Sequence, residues 1–429
     1  MSEQKLRILL VGNGGREHAL AWKLVQSSRV EQIYACPGNG GTAGLQKVTN
    51  ITSVSSEDFQ ALLDFSRKHN VNFLVPGPEA PLVAGIADFF AQYAPDVRCF
   101  GPSKAAAHME GSKTFSKDFM KRHNIPTAAY ENFSTYDAAS KYLDSVDHNV
   151  VIKADGLAAG KGVIIPQTKE EAQAALKEIM LDREFGAAGD QVVIEEFLEG
   201  DECSILSFSD GTKIRSLPAA QDHKRIGDGD TGPNTGGMGT YAPAAVVTDS
   251  IMEEITRTAL IPTIEGMRAE GYPFVGCLFT GFMLTPKGPR VLEYNVRFGD
   301  PETQSLLMLL DSDLATVMDA CTQGSLENVD LKIKPASAAT VVVAAGGYPG
   351  SYAKGTEMNL TSEPQDVVFF HAGTKLDGST LRTAGGRVIA STGTGKTLKD
   401  ALARAYEGVE GIKFEGMQFR KDIGHRAFR

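Results

Sequence analysis

The segment RILLVGNGGREHALAWKL, residues 7–24, runs from an apolar stretch through a glycine-rich loop into residues with helical periodicity. The alternation continues to about residue 100, with the apolar stretches QIYAC and NFLVP and further helices expected over residues 16–27, 57–69 and 82–93. Strands that are apolar throughout are typical of sheets covered on both faces. The pattern therefore predicts a doubly wound parallel sheet with its functional edge at the loops GNGGRE, CPGNGGTAG and PGPEAPL.

The pattern changes at Gly101-Pro102, where two short helical stretches follow and Ser103 is the expected N-cap of the first. Strands at VVIKA, GVIIP, VVIEEFL and CSILSFS, a helix over residues 250–270 and a hairpin with its turn at residues 286–289 predict a mixed α+β centre. The last hundred residues predict a small α+β domain. The expected domains are residues 1–102, 103–325 with a flap subdomain at about 124–195, and 332–429.

Composition excludes several classes of function. The 43 Lys and Arg against 53 Asp and Glu give a net charge of -10, so no basic field exists to hold a nucleic-acid backbone. The five cysteines include no Cys-x-x-Cys pair, which argues against a zinc site or a disulfide framework. The N-terminal apolar run stops at Gly12, too short for a signal peptide, and no stretch approaches a membrane span. We expect a cytoplasmic protein.

The first glycine-rich loop, residues 12–18, joins a strand to a helix, so that its amides and the helix N-terminus favour an anion. A dinucleotide fingerprint fails because Glu17 stands at its third glycine position and the second strand ends in Ala35-Cys36. A phosphate monoester suits the loop better, with Arg16 assisting; a purely structural turn is the alternative. His18, and His223 in a later loop, are expected to be hydrogen-bonded scaffold residues.

A second phosphate-binding motif is only apparent. Residues 390–397, ASTGTGKT, resemble a P-loop whose first glycine is alanine. A P-loop enzyme also needs a strand-end Asp for magnesium and a large parallel sheet, and the last hundred residues predict neither. We therefore expect Thr397 to be an N-cap and the glycines to form a loop.

The segment KADGLAAGKGV, residues 153–163, is a strand-loop-strand flap whose two lysines can close over a polyphosphate. Lys153 follows the apolar VVI of a strand and should be partly buried, which requires an anion nearby. Lys113 can add a third cation. Near the next strand end, the backbone of residues 195–198 can meet a base edge, and Glu202 can meet ribose hydroxyls.

The stretch LEYNVRFGDPETQ, residues 292–304, contains the densest group of polar side chains. The two-residue period of a strand places Glu293, Asn295 and Arg297 on one face. Magnesium takes one or two protein oxygens of this kind and completes its shell with phosphate and water. No convincing pair of nucleophile and base accompanies these residues.

Seven segments in chain order resemble the glycinamide ribonucleotide synthetase (phosphoribosylamine-glycine ligase) family over about residues 7–425. They are GNGGREHALAWKL, PGNGGTAG, VPGPEAPLVAGI, GPSKAAAHMEGSKTFSKDFM, VIKADGLAAGKGV, the loop from QDHKR to GPNTGGMG, and LEYNVRFGDPETQ. The resemblance implies an ATP-grasp fold, which holds its nucleotide between two α+β subdomains. It also implies the reaction of ATP, glycine and 5-phosphoribosylamine to glycinamide ribonucleotide, ADP and phosphate in purine synthesis. A carboxylate must be activated by phosphorylation before an amine attacks it, and this needs phosphate clamps and a metal but no protein nucleophile.

The resemblance also implies the roles of individual residues. It assigns phosphates to Lys113, Lys153, Gly160, Lys161 and Gly162; adenine to Glu195, Phe197 and Leu198; ribose to Glu202; and Mg²⁺ or Mn²⁺ to Glu293 and Asn295. It assigns the pocket for glycine and ribosylamine to Asp222, Lys224, Gly236, Gly237 and Met238, and the phosphoribosyl group to Gly14, Gly15, Arg16, Asn39 and Glu79. Arg297, Lys153 and Asp222 are the expected catalytic residues, with Arg297 stabilising the transferring phosphoryl group.

The sequence differs from the wider superfamily in one feature, and two other functions compete with the ligase. The strand VGCLFTGFML supplies no carboxylate as a second metal ligand. The family also occurs fused to later enzymes of its pathway, and because this sequence stops at Arg429 we expect the stand-alone bacterial form, a monomer. The competing hypotheses are an NAD-dependent oxidoreductase and a non-catalytic nucleotide-binding protein with the same fold.

Overall fold

The computed structural model of the chain describes residues 4–156 and 162–429. Its strands are β1 (Leu6–Gly12), β2 (Val30–Pro37), β3 (Val48–Asn50), β4 (Phe73–Pro76), β5 (Arg98–Cys99), β6 (Tyr130–Phe133), β7 (Val150–Ala154), β8 (Val163–Ile164), β9 (Val192–Glu196), β10 (Asp201–Asp210), β11 (Ile214–Ser216), β12 (Gln221–Asp222), β13 (Arg225–Gly227), β14 (Thr231–Asn234), β15 (Gly239–Ala242), β16 (Val275–Thr285), β17 (Gly288–Asn295), β18 (Ser337–Ala345), β19 (Asn359–Leu360), β20 (Val367–His371), β21 (Thr374–Asp377), β22 (Thr380–Thr383), β23 (Arg387–Gly395), β24 (Ile412–Lys413) and β25 (Met417–Gln418). Its α-helices are α1 (Gly15–Leu24), α2 (Phe59–Lys68), α3 (Glu79–Ala84), α4 (Ile86–Tyr93), α5 (Lys104–Gly111), α6 (Lys113–Arg122), α7 (Tyr136–Ser145), α8 (Lys169–Met180), α9 (Asp249–Ile255), α10 (Ile261–Ala269), α11 (Glu302–Leu309), α12 (Leu314–Thr322) and α13 (Leu398–Glu410).

The N-terminal sheet is parallel and has the strand order β3-β2-β1-β4-β5. Successive residues of β1 point to opposite faces, and both faces are buried. Leu9 lies in one core cluster with Leu62 of α2, whereas Leu10 lies in another with Leu20 of α1. The expected doubly wound sheet is therefore confirmed, and its strand-end loops lie on one edge.

Two expected helices differ in detail from the structure. The helix expected over 82–93 is interrupted at Gly85, whose φ of 96° is the left-handed conformation that glycine adopts readily, so that α3 and α4 are separate. The helix expected over 250–270 contains a π-helical stretch, Thr256–Leu260, between α9 and α10. Ser103 caps α5 as expected by accepting a hydrogen bond from the amide of Ala106.

The centre of the chain forms two antiparallel sheets. The flap sheet has the order β6-β9-β7-β8, and Ile152 and Ile194 pack against Leu176 of α8. The second sheet has the order β11-β10-β16-β17, and β16 and β17 form the expected hairpin.

The C-terminal sheet has the order β12-β15-β18-β23-β20, with β25 also on β18. Its strands β12 and β15 come from the centre of the chain and flank the glycine-rich stretch that contains the hairpin of β13 and β14. That stretch was expected to be a loop. Antiparallel pairing of β15 with β18 fixes one end of this stretch against the C-terminal domain, and β12 at the other end pairs with β15.

The P-loop-like residues 390–397 lie mostly within β23, which corrects the expectation of a loop. A Cβ atom on Gly393 would lie 2.5 Å from the amide nitrogen of Ala405, so that this glycine allows α13 to pack closely. Thr397 is the N-cap of α13, as expected, in a capping box with Asp400. Among residues 4–156 and 162–429, no helix has the length and apolarity needed to cross a bilayer.

Candidate functional site

Lys153 links the two central sheets. It lies near the end of β7 with 6% of its surface exposed, and its Nζ donates to the carbonyl of Leu292 on β17 at 3.2 Å. The same Nζ lies 2.9 Å from Oε1 of Glu195 on β9, while Nζ of Lys117 lies 3.2 Å from Oε2. Burial raises the pKa of Glu195, but the two lysines outweigh it and hold the pKa below its usual value. The anion expected beside Lys153 is therefore the ionised Glu195.

Lys113 begins α6 and contacts the first part of the flap loop. Its Nζ donates to the carbonyl of Gly156 at 2.9 Å. Asp155 accepts hydrogen bonds from the hydroxyl of Ser112 and the amide of Thr114, at 3.0 and 2.8 Å. Burial lowers the pKa of Lys113, and the nearby Glu293 carboxylate opposes this shift. Lys113 at the start of α6 and Glu293 on β17 therefore face the same space.

The end of the flap loop is partly described. The carbonyl of Gly162 accepts a hydrogen bond of 2.8 Å from the amide of Ala154, which closes the turn between β7 and β8. Gly160 and Lys161, which the resemblance assigns to phosphates, lie outside the described residues.

The segment after β9 connects the flap to the second sheet. The amide of Phe197 donates to the carbonyl of Asn149 at 2.9 Å, the Phe197 ring is 38% exposed, and Leu198 is half-buried. Because both oxygens of Glu195 are paired with lysines, its side chain is not available to a base. The carbonyls and amides that follow β9 remain the groups that can meet a base edge.

Asn295 and Arg297 lie on one side of the chain at the end of β17. Nη2 of Arg297 donates to Oδ1 of Asn295 at 3.1 Å and lies 3.0 Å from Oε1 of Glu110 on α5. Nε of Arg297 lies 3.3 Å from Glu79, at the start of α3. Burial lowers the pKa of Arg297, but Glu110 and Glu79 reverse this, and its pKa lies above the ordinary value. Glu293 precedes the buried Tyr294 along the chain, and its carboxylate interacts with Lys113.

The carboxylates of Glu202 and Asp222 flank Lys224. Nζ of Lys224 lies 3.0 Å from Oε2 of Glu202, and the two side chains are 43% and 38% exposed, so that a ligand can reach both. Lys224 lowers the pKa of Glu202 despite partial burial. Burial raises the pKa of Asp222, Lys224 opposes the shift and Glu202 adds to it. The structure thus brings together residues that the sequence assigned to ribose and to the amine substrate.

Glu302, the first residue of α11, is a further carboxylate near Asp222. It is 4% exposed, and burial followed by the charge of Asp222 raises its pKa to about 8. It lies so close to Gly299 that a Cβ there would be 2.5 Å from its Oε2. Burial and the neighbouring Asp222 carboxylate therefore favour the protonated form of Glu302. The sequence of residues 292–304 by itself gives no role to Glu302.

The loop before α1 is occupied by carboxylates of the chain itself. The amide of Gly14 donates to Oε2 of Glu17 at 2.6 Å, and the amide of Arg16 donates to Oδ2 of Asp300 at 3.1 Å. A Cβ on Gly77 would lie 2.0 Å from Oε1 of Glu17, which shows that this carboxylate fills the space beneath the loop. The anion that the loop geometry favours is therefore protein, and a dinucleotide pyrophosphate has no room there. This finding counts against the NAD-dependent oxidoreductase.

Several residues assigned to substrate serve the scaffold. Asn39 is 4% exposed, donates to the carbonyls of Asn13 and His371, and accepts from the amides of Gly41 and Thr42. This network holds the loop after β2 against the C-terminal domain.

Other residues of the expected pocket are also buried. Met238 is fully buried, its amide donates to the carbonyl of His223, and its carbonyl accepts from the amide of Val342. The guanidinium of Arg16 donates to the carbonyl of Phe298 at 3.1 Å, and Gly15 lies against Gln304. These contacts fix the positions of the loops.

The arrangement combines cations suited to a polyphosphate with oxygen ligands suited to a hard cation. Lys113, Lys153 and Arg297 surround the end of β17, and Glu202, Asp222 and Glu302 lie next to it. In the part of the chain that the structure describes, no three His, Cys, Asp or Glu side chains form a metal cluster. The sequence does not reveal the roles of Glu110, Lys117 and Asp300, because their partners lie at distant positions along the chain. The sequence shows them only as charged residues within helices or loops whose other residues are expected to be buried.

Three family models match consecutive parts of the chain. They are the N domain of phosphoribosylglycinamide synthetase over residues 6–110, its ATP-grasp (A) domain over 111–303, and its C domain over 338–426. A phosphoribosylamine--glycine ligase of Vibrio cholerae is 47% identical, with 98% of both chains covered.

Longer relatives and a solved structure are also similar to the chain. A "bifunctional purine biosynthetic protein PUR2,5" of Pichia angusta is 57% identical over 99% of this chain but only 54% of its own length. The chain therefore spans about half the length of such bifunctional relatives. The crystal structure of a phosphoribosylamine--glycine ligase from Thermotoga maritima is 34% identical, has a TM-score of 0.84, and is covered completely by 98% of this chain.

Proposed function

Because this chain belongs to the phosphoribosylglycinamide synthetase family, we propose that it catalyses the ATP-dependent ligation of glycine to 5-phosphoribosylamine. The products are glycinamide ribonucleotide, ADP and phosphate, in the synthesis of purines. The chain supplies all three family domains in order, so that one polypeptide contains the parts that this reaction uses.

The chemistry requires two transfers. In the first, a carboxylate oxygen of glycine attacks the γ-phosphorus of ATP, the bond to the bridging oxygen breaks, and ADP leaves, which forms glycyl phosphate. In the second, the amine of phosphoribosylamine attacks the glycyl carbonyl, phosphate leaves, and the amine loses a proton as the amide forms. Both steps depend on positioning and charge stabilisation and need no protein nucleophile.

The cations around β17 suit the first transfer. Lys153 and Lys113 approach from the flap side and from α6, and we assign them to the phosphates of ATP together with Gly160, Lys161 and Gly162. Arg297 stabilises the negative charge on the transferring phosphoryl group. The backbone after Glu195, at Phe197 and Leu198, receives adenine, and Glu202 receives ribose.

The carboxylates near Lys224 suit the second transfer. We assign Asp222 to the amine, where it holds or accepts the proton that the amine releases, with Lys224 next to the acyl phosphate group of glycyl phosphate. Gly14, Gly15, Arg16, Asn39 and Glu79 form or support the walls for the phosphoribosyl group, and Gly236, Gly237 and Met238 those of the pocket for glycine and ribosylamine. Because the amides of Gly14 and Arg16 are bonded to Glu17 and Asp300, the walls contribute mainly through shape and through the remaining backbone groups.

A divalent metal fits the residues present. Glu293 offers a carboxylate and Asn295 an amide oxygen with one acceptor site left beside its bond from Arg297, and hard cations such as Mg²⁺ or Mn²⁺ prefer oxygen ligands. Two protein ligands are the usual number for a Mg²⁺ ion that is also bound by the phosphates of its substrate. When bound, the metal neutralises phosphate charge and polarises the phosphoryl group. The residues to hold it are Glu293 and Asn295.

One observation carries the proposal: the ammonium of Lys153 bonds to the carbonyl of Leu292, immediately before Glu293, so that phosphate and metal ligands from two sheets converge. The test is a coupled assay of ADP release, with phosphoribosylamine generated in situ. We expect ADP release only when glycine and phosphoribosylamine are both present, together with formation of glycinamide ribonucleotide. Release of ADP without either substrate would contradict the ligase, and nucleotide binding without any turnover would favour the non-catalytic alternative.

The proposed small-molecule partners are glycine and 5-phosphoribosylamine. The monomeric state and the cytoplasmic location stay predictions from the sequence. Size-exclusion chromatography with light scattering tests the first, and localisation of the tagged protein tests the second.

A further inference from the structure

Arg387, the first residue of β23, connects the C-terminal domain to two loops of the proposed substrate site. Its Nη1 donates to the carbonyls of Gly236 at 2.8 Å and Asp300 at 2.7 Å, and the carbonyl of Gly237 lies at 3.3 Å. One guanidinium therefore holds the glycine-rich loop and the turn before α11 together. The Arg387 side chain is 22% exposed, so that it borders the site without being sealed off from it.

Asp300 extends this connection to the N-terminal domain. Its Oδ2 accepts from the amide of Arg16, its Oδ1 accepts from Nε2 of Gln304 at 2.9 Å, and Oδ1 lies 3.6 Å from Nη1 of Arg387. Burial raises the pKa of Asp300, but Arg387 and then Arg16 lower it below the usual value, which keeps the carboxylate ionised. Asp300 thus joins the loop before α1 to Arg387.

The glycines of the loop are required for this approach. A Cβ on Gly236 would lie 3.0 Å from Cζ of Arg387, and a Cβ on Gly237 would lie 2.6 Å from Cδ of Pro301. Gly237 has a φ of 114°, a conformation that side-chain-bearing residues rarely adopt. The amide of Gly236 also donates to the hydroxyl of Tyr348 at 3.1 Å. The C-terminal domain therefore holds the backbone of the loop through the amide of Gly236 and the carbonyls of Gly236 and Gly237.

From this geometry we propose that Arg387 is a positioning residue for the amine substrate: it fixes the loop of Gly236 and Gly237 and the Asp300 turn against the N-terminal domain. The inference rests on the proposed ligase function and deepens it. Lys153 of β7, Lys113 of α6 and the proposed metal ligands of β17 form no hydrogen bond with Arg387 in the described part of the chain. Loss of Arg387 should therefore weaken binding of phosphoribosylamine much more than binding of ATP.

The experiment compares Arg387→Met and Arg387→Lys with Arg382→Met. Arg382 is a control in the same domain, because it likewise combines a bond to a backbone carbonyl, that of Gly355, with a carboxylate partner, Asp377, but contacts neither loop of the proposed substrate site. Steady-state ADP release is measured with each substrate varied in turn. We expect Arg387→Met to raise KM for phosphoribosylamine about tenfold to a hundredfold, since small misplacements of binding groups have effects of this size. KM for ATP should change less than about twofold, and Arg387→Lys should recover part of the loss.

A double-mutant cycle separates positioning from a general packing defect. Gly236→Ala displaces the guanidinium in the wild type, so that its effect on KM for phosphoribosylamine should be several-fold smaller in the Arg387→Met background. Equal rises in all three KM values, or behaviour of Arg387→Met like that of Arg382→Met, would overturn the inference. A wild-type enzyme that forms no glycinamide ribonucleotide would instead overturn the proposed function, so that the two failures are distinguishable.

Discussion

Single charged residues are stabilised here by partners from distant segments. Lys153, a residue that is 6% exposed, is paired with Glu195, and Arg297 is paired with Glu110 and Glu79. A buried charge without a partner is strongly unfavourable, so that these pairs hold the side chains at fixed positions before any ligand binds. Pre-positioned cations of this kind need little rearrangement when charge develops on a phosphoryl group.

Glu293 is the residue whose loss should most directly affect metal dependence. We expect Glu293→Ala to keep its fold, because this side chain is only partly buried, and to lose metal-dependent turnover by about a hundredfold or more. ADP release is measured as a function of Mg²⁺ concentration, and circular dichroism checks the fold. Glu265→Ala, at an exposed position of α10, is the control. Near-normal turnover of Glu293→Ala at low Mg²⁺ would remove the metal assignment.

Three buried histidines should make the protein sensitive to mild acid. Burial lowers the pKa of His223 to about 3 and that of His371 to about 4, and burial also lowers the pKa of His18 well below its usual value. His223 donates to the carbonyl of Gly239 and accepts from the amide of Gly424, as expected of a neutral scaffold residue. Below a pH of about 6.5 the unfolded chain binds protons that the folded chain does not, so that stability falls as the pH falls.

This pH effect is measurable by urea unfolding at about pH 7 and about pH 5.5. Each such histidine should remove up to about 1.4 kcal/mol of the free energy of unfolding per pH unit. His223→Gln keeps an acceptor but does not titrate, and it should therefore show a shallower dependence on pH than the wild type. The same slope in both proteins would contradict the assignment of His223 as a buried neutral group.

At the scale of secondary-structure elements, β23 shows how a motif can mislead. The glycines of ASTGTGKT look like a phosphate loop in the sequence, but Gly393 and Gly395 lie in a strand pressed against α13. Their strand is paired with β18 on one side and β20 on the other, and it lies in close contact with α13. These contacts leave no cavity for phosphate at the two glycines. Lys396 is exposed on the turn that follows.

The variant Lys396→Ala tests this interpretation. We expect KM for ATP to stay within about twofold of the wild type, because an exposed lysine outside the nucleotide site contributes little. Lys153→Ala, in contrast, should raise KM for ATP or abolish turnover. A tenfold rise in KM for ATP in Lys396→Ala would place nucleotide at β23 and contradict the site between the two central sheets.

At the scale of the whole molecule, the N-terminal sheet is joined to the central domain by charge pairs as well as by apolar packing. Asp319 on α12 is 7% exposed and pairs with Arg29 at 2.6 Å and with Arg98 of β5. These contacts fix the loops of the N-terminal sheet beside β17, where Glu79 meets Arg297.

We expect Asp319→Asn to lower the free energy of unfolding by about 2 kcal/mol, because two arginines at a largely buried interface lose their carboxylate. Urea unfolding measures the change. Asp377→Asn is the control, since its pair with Arg382 is exposed and should contribute less than about 1 kcal/mol. A loss for Asp319→Asn no larger than that of the control would show that the pairs of Asp319 contribute little to holding the N-terminal domain in place.

The residue types and their local spacing determined the N-terminal parallel sheet, the hairpin of β16 and β17, and the side chains of the candidate site. Strand and helix periodicity are properties of neighbouring residues, and so are the alternation of Glu293 and Asn295 and the position of Lys153 at a strand end. The family resemblance rests on the same local motifs and is confirmed by the matches to all three domains.

The tertiary structure alone decided which groups meet. Arg16 and Asp300 are 284 positions apart, and Arg387 reaches Gly236 across 151 positions. It also decided that β12 and β15 join the C-terminal sheet and that the glycines of β23 lie in a strand. Such pairings depend on how domains pack, because a hydrogen bond or ion pair forms wherever burial leaves a charged group without water, whatever its distance along the chain.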